Sequence, residues 1–283
     1  MIEYIVTTRS NSTTRQGSPY VLLHLSSEID DIVVSVWDVA PDMPPVPGQL
    51  VQFRALKDYQ GKKSCGMQEM IVGLVADERH PLYHRLPRPI DRQTWDSTIQ
   101  QLLTYCTDSQ LVPIIIDFAE KLFKPYSEYP AATNMHHAFP GGLLNHTHQM
   151  LHMLEGLYPV LPYPIKVERC ILAILFHDYG KVYEYNHNGD TQPDMYLLGH
   201  IYISAHKLQN VLEDKEIPTD EVKRIIHCVL AHHGQREYGS PVLPCTQEAA
   251  IVTYLDNISA KTDAAETAPD GEYVGALGTH VVK

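Results

Sequence analysis

Leu175-Phe176-His177-Asp178-Tyr179-Gly180-Lys181 is the stretch that decides the fold. It ends a run from Lys166 to Phe176 whose apolar character, unbroken from Cys170 onward, predicts a buried helix. Gly180 then breaks the chain, so His177 and Asp178 stand at a helix end, where both side chains can be aimed at one point. A buried imidazole beside a buried carboxylate is costly unless something satisfies them. What else the chain brings to that point is therefore the next thing to read.

Four more predicted helices each carry a matching group. Gly141-Gly142 opens a helix on which His146 shares a face with Leu143, Met150 and Leu154. A helix from about Tyr196 to Leu212 places His200 on one stripe with Leu197, Ser204 and Leu208. The next, Asp220 to His232, has Thr219 and Asp220 for capping and Gly234 as its stop, and it ends in His232-His233. The last, Gln247 to Lys261, carries Asp256 one turn from Val252 and Ala260. Any one of these histidines alone reads as a core or surface residue. Seven groups in one order on successive helices read as a site.

His146, His177, Asp178, His200, His232, His233 and Asp256 are thus candidate ligands for two divalent transition-metal ions. Mixed imidazole and carboxylate donors suit manganese, the first expectation, or iron, cobalt, nickel or zinc better than magnesium or calcium. One carboxylate can bridge two ions, and such a pair stabilises the attacking and leaving oxygens of an in-line displacement at phosphorus.

The rest of the 283-residue chain sets the frame. Residues 1–76 hold short β-branched and aromatic runs, Tyr20 to Leu25, Ile32 to Trp37 and Leu50 to Leu56, with Asn11 to Ser18 as a polar loop. These predict a small barrel or sandwich. In 77–130, prolines 81, 87 and 89 mark a connector, followed by helices over Thr94–Tyr105 and Val112–Phe123. The expected organisation is a multi-domain α+β chain: an OB-like barrel at 1–76, a helical connector at 77–130, an all-α domain at 131–265 and a flexible tail at 266–283.

Composition excludes several classes. The net charge of −12 argues against sequence-blind binding of duplex nucleic acid, which leans on a basic face, but leaves room for a short single strand held by metal and stacking. Five dispersed cysteines form no CxxC pair, which fits free thiols in a reducing cytoplasm better than a zinc ribbon. No run of about 18 apolar residues predicts a membrane helix. The oligomeric state is not readable.

Asn134-Met135-His136-His137-Ala138-Phe139-Pro140-Gly141-Gly142-Leu143-Leu144-Asn145-His146-Thr147, Leu198-Gly199-His200-Ile201, Leu230-Ala231-His232-His233-Gly234 and Leu255-Asp256-Asn257-Ile258-Ser259-Ala260-Lys261 join the opening stretch in a pattern. It resembles the HD superfamily of metal-dependent phosphohydrolases, and more narrowly the YhaM-type 3'-5' exoribonucleases, over roughly 131–262. Gly17-Ser18-Pro19-Tyr20, Val36-Trp37-Asp38, Pro47-Gly48 and Tyr59-Gln60-Gly61-Lys62-Lys63 extend the likeness into an N-terminal OB-fold.

The resemblance implies a helical HD-domain bundle after an OB-fold that guides single-stranded RNA to a phosphodiesterase site. One ion would be held by His146, His177, Asp178 and Asp256, the other by Asp178, His200, His232 and His233. Lys181, His136 and His137 would contact substrate phosphate or leaving group, with Arg54, Lys57, Lys62 and Lys63 forming a basic edge on the barrel. Tyr20, Trp37, Phe53 and Tyr59 could stack on bases. A hydrolase of cyclic or linear signalling nucleotides and a non-catalytic RNA-binding protein are the competing readings. Gly239-Ser240-Pro241 after the His-His pair departs from the Gly-Tyr-Pro signature of the cyclic-di-GMP branch.

Overall fold

Why strands form first and helices later is visible in the side-chain periods. Odd-numbered Val21, Leu23 and Leu25 are buried, as are even-numbered Ile32, Val34 and Val36 on the neighbouring strand, the alternation of a sheet with one inward face. The computed structural model describes residues 1–283 except 15, 40–42, 60, 78, 133–136, 187–189, 269 and 272. Its chain divides into two compact units, Met1–Arg88 with Thr267–Lys283, and Pro89–Glu266.

The first unit is a seven-stranded sheet. Its strands are β1 (Tyr4–Thr13), β2 (Pro19–Ser26), β3 (Asp31–Trp37), β4 (Gln49–Phe53), β5 (Lys57–Tyr59), β6 (Lys62–Gly66) and β7 (Met70–Val75), in spatial order β5-β6-β3-β2-β1-β4-β7. The β3–β6 pair is parallel, with Val36 opposite Cys65, and the other pairs are antiparallel. Residues from six strands meet in one apolar cluster, including Val6, Leu23, Val34, Val51, Phe53, Cys65 and Met70, so the sheet folds around its own inner face as a half-barrel. β1 was not anticipated: the expected polar loop from Asn11 overlaps it, because Asn11 to Thr13 pair with Val21 to Pro19 despite their polar side chains.

The second unit is helical. It runs α1 (Arg92–Leu103), α2 (Leu111–Tyr126), α3 (Gly142–Leu157), α4 (Val167–Phe176), α5 (Lys181–Glu184), α6 (Asp194–Leu197), α7 (His200–Asp214), α8 (Thr219–Leu230) and α9 (Gln247–Thr267). The Asp91 carboxylate caps α1 by accepting from the Thr94 N–H. α4 packs against α2, α3, α7 and α8, which is why all its residues but Arg169 are buried and its run from Cys170 to Phe176 is apolar all round. Each of its buried leucines and isoleucines contributes about 1.5–3 kcal/mol.

α1 and α2, expected within a connector, deliver Trp95, Leu102, Leu111 and Ile115 to the same core as α4. In the tail, β8 (Tyr273–Val274) and β9 (Thr279–His280) form a short hairpin. Among the described residues no helix is long and apolar enough to cross a membrane. Charge is distributed unevenly by sequence. The first unit holds 10 Lys or Arg against 12 Asp or Glu, and the second 12 against 22.

Candidate metal centre

Each candidate ligand is placed by a local feature of backbone or packing. His146 lies in the second turn of α3, fully buried. His177 caps the end of α4, and Asp178 follows it into a turn that starts α5. A Cβ on Gly180 would lie 2.4 Å from the His200 carbonyl oxygen, so this turn can press against the start of α7 only as glycine. The expected single helix over Tyr196–Leu212 is two. Gly199, at φ 77°, is not helical and separates α6 from α7. His200 is therefore the first residue of α7 and shares no stripe with Leu197, which is exposed, although Ser204 and Leu208 are buried. His232 and His233 stand just past α8, where Gly234 at φ 78° turns the chain. Asp256 projects from α9.

Asp178 joins these groups. Its Oδ2 is 3.2 Å from His177 Nε2 and 3.6 Å from His146 Nε2, while its Oδ1 is 3.6 Å from His200 Nε2 and 3.8 Å from His232 Nε2. Asp256 Oδ1 lies 3.2 Å from His146 Nε2. Two sets could each hold a metal ion, His146 with His177 and Asp256, and His200 with His232 and His233; within each set the candidate donor atoms lie within 4.8 Å of one another.

The chemistry of the donors suits a metal. All five imidazoles have Nδ1 engaged: His177 by the Ile174 carbonyl at 2.7 Å, His232 by the Val229 carbonyl at 2.7 Å and His233 by the Tyr238 carbonyl at 2.6 Å. His146 donates to Ser259 Oγ at 2.8 Å, whose hydroxyl donates on to Gln149 Oε1 at 2.7 Å. His200 has the Glu184 carboxylate, both oxygens 3.2 Å away. Acceptors at Nδ1 fix the proton there and leave Nε2 as a lone-pair donor. Among the described residues, buried Nε2 of His200 and His232 and Oδ1 of Asp178 find no hydrogen-bond partner, which is an expensive arrangement without a cation.

Electrostatics follow from that crowding. Burial would raise the Asp178 carboxyl, but Lys181 and His177 overcome it and hold it well below the usual carboxylate range. Asp256 is likewise held down, burial being outweighed by the His146 hydrogen bond. Burial pulls His232 well below the ordinary imidazole value, with His233 adding to it, and burial with His200 lowers His233. His177 moves up, because Asp178 prevails over burial.

The expected substrate contacts are less gathered. Lys181 is buried, its Nζ 2.6 Å from Asp178 Oδ2. His137 is 8% exposed and lies behind the donors, its Nε2 3.3 Å from Gln149 Oε1 and its N–H bonded to Asp263. Burial, then His146, lowers its imidazole to about 4. His136 lies outside the described residues. Arg54, Lys62 and Lys63 belong to the first unit, where Arg54 and Lys62 are exposed and Lys63 pairs with Asp58 at 3.1 Å. There Tyr20 and Trp37 pack ring to ring at 4.9 Å, Phe53 is buried and Tyr59 is 75% exposed. Glu184, Gln149 and Ser259 were not singled out from sequence. A glutamate three residues after Lys181 was the available signal for the first.

An HD domain family model matches residues 143–261, the segment that carries the seven groups. The chain is 27% identical over 284 residues to the 3'-5' exoribonuclease YhaM of Bacillus pumilus (strain SAFR-032), covering 96% of this chain and 89% of that protein. The Geobacillus sp. (strain WCH70) protein of that name is 28% identical over 91% of this chain and 82% of its own length. That of Bacillus subtilis (strain 168) is 27% identical over 95% and 88% respectively. No solved structure matches. Imidazoles and carboxylates thus converge inside a segment, 143–261, that matches an HD domain, and the chain is similar over most of its length to the YhaM 3'-5' exoribonucleases.

Proposed function

We propose that this protein is a metal-dependent 3'-5' exoribonuclease that shortens single-stranded RNA and releases nucleoside 5'-monophosphates. The observation that carries the reading is the position of Asp178, one oxygen toward His146 and His177 and the other toward His200 and His232. It supports two divalent ions, manganese first, held by His146, His177, Asp178 and Asp256 on one side and by Asp178, His200, His232 and His233 on the other. Ions bound there would activate water and stabilise charge on phosphate oxygens.

The chain's own groups do the rest. The Nδ1 acceptors keep the imidazoles oriented with lone pairs inward, so little reorganisation is needed when charge develops. The Lys181 ammonium, now beside Asp178, is the group that would meet a substrate phosphate oxygen. RNA as substrate and the 3'-5' direction rest on what the similar proteins are named for. Exposed Arg54, Lys62 and Tyr59 support a role for the sheet unit in holding the strand.

The test is incubation of metal-stripped protein with 5'-end-labelled single-stranded RNA, a cyclic dinucleotide and a nucleoside triphosphate, each with and without manganese. A manganese-dependent ladder of 3'-shortened RNA is expected. Hydrolysis of the small nucleotides alone would overturn the RNA reading and keep the site.

A further inference from the structure

The two donor sets differ in charge. His146 and His177 share theirs with the Asp256 carboxylate, whereas the set of His200, His232 and His233 is, among the described residues, three imidazoles without a carboxylate of its own. Both sets draw on Asp178, so the second would leave a divalent ion with half a shared negative charge. A further carboxylate sits one hydrogen bond out from His200. Glu184, 3% exposed, places both carboxylate oxygens 3.2 Å from His200 Nδ1, and its Oε1 also accepts the His200 backbone N–H. At Nδ1 the other four imidazoles face neutral groups, three backbone carbonyls and one hydroxyl.

A carboxylate can only accept, so it fixes the His200 hydrogen on Nδ1 and pushes electron density toward Nε2. We propose that Glu184 is the positioning residue of the His200–His232–His233 set, supplying through His200 the negative charge which that set lacks. The proposal rests on the two-ion reading above. α5 then works on both sides of the centre in a single turn: Lys181 at its start touches Asp178, and Glu184 at its end grips His200.

Manganese titration of metal-stripped protein, followed by calorimetry and by elemental analysis after dialysis, tests this. Wild type is expected to bind two ions per chain. In E184Q one ion is expected to keep its affinity and the other to weaken about 10–100-fold. The same titration on H200A and on H200A/E184Q completes the cycle: if Glu184 acts through His200, the double variant binds as H200A does. Equal weakening of both ions, no weakening in E184Q, or a further loss in the double variant would overturn the proposal while the two-ion reading stands. Wild type binding no ion would overturn both. Circular dichroism of each variant separates these outcomes from misfolding.

Discussion

Lys181 reaches back along one turn to Asp178, its Nζ 2.6 Å from Oδ2, and both side chains are buried. Burial works against the ammonium, yet Asp178 beside it raises its pKa, so the pair is charged. Lys181→Met leaves the carboxylate buried without its cation. The metal-free protein is expected to lose about 3–5 kcal/mol of stability. If manganese binds the same carboxylate, it is expected to restore most of that loss. Melting curves in chelator and in manganese check this, and an unshifted melting point for the variant in chelator would contradict it.

Asp178→Asn removes the charge that both donor sets share while keeping the shape. Loss of several kcal/mol of transition-state stabilisation corresponds to a fall in kcat of about a thousandfold or more. The accompanying drop in bound manganese distinguishes lost ligation from a lost proton transfer. Near-normal turnover in this variant would remove Asp178 from the centre.

Gly180→Ala would drive a methyl group into the His200 carbonyl, 2.4 Å away, so α7 must shift or the turn must distort. Overpacking of this kind costs about 1–3 kcal/mol. Because the displaced element begins with a candidate ligand, activity is expected to fall further than the stability loss accounts for. Rates measured well below the melting point read the two effects apart.

Away from the centre, Arg169 bridges Glu221 on α8 and Glu248 on α9, at 2.7 and 3.0 Å. Its hydrogen bond holds the Glu221 carboxyl below the ordinary 4.5, against burial. A carboxyl depressed by folding stabilises the fold above its unfolded value and loses that contribution as pH falls through the folded one. Urea midpoints of wild type are therefore expected to drop below pH 4.5, and those of Arg169→Met to start lower and fall less steeply. Parallel curves would exclude the bridge as a cause.

The candidate centre was legible largely because five of its seven groups, His177, Asp178, His200, His232 and His233, sit where the chain breaks or bends. His177-Asp178 precedes Gly180 and His232-His233 precedes Gly234, and both glycines are demanded by packing or by φ. Their supports were not legible, since the Nδ1 acceptors at Ile174, Val229 and Tyr238 are backbone carbonyls, which any residue type supplies. Gly199 before His200 was read as part of a motif rather than as a helix boundary, so α6 and α7 were fused. For α1 and α2, Ile99, Leu102 and Ile115 announced a buried stripe, but a stripe does not say which partner it meets.

The uneven division of charge bears on traffic. The unit that carries the seven groups holds 22 acidic side chains against 12 basic ones, a field that opposes an arriving polyanion beyond the reach of the ions themselves. That field also favours departure of a freed mononucleotide, whose terminal phosphate bears more charge than the linkage it came from. Salt screens both over about 10 Å at 0.1 M. Added salt would then quicken a turnover limited by capture and slow one limited by product escape.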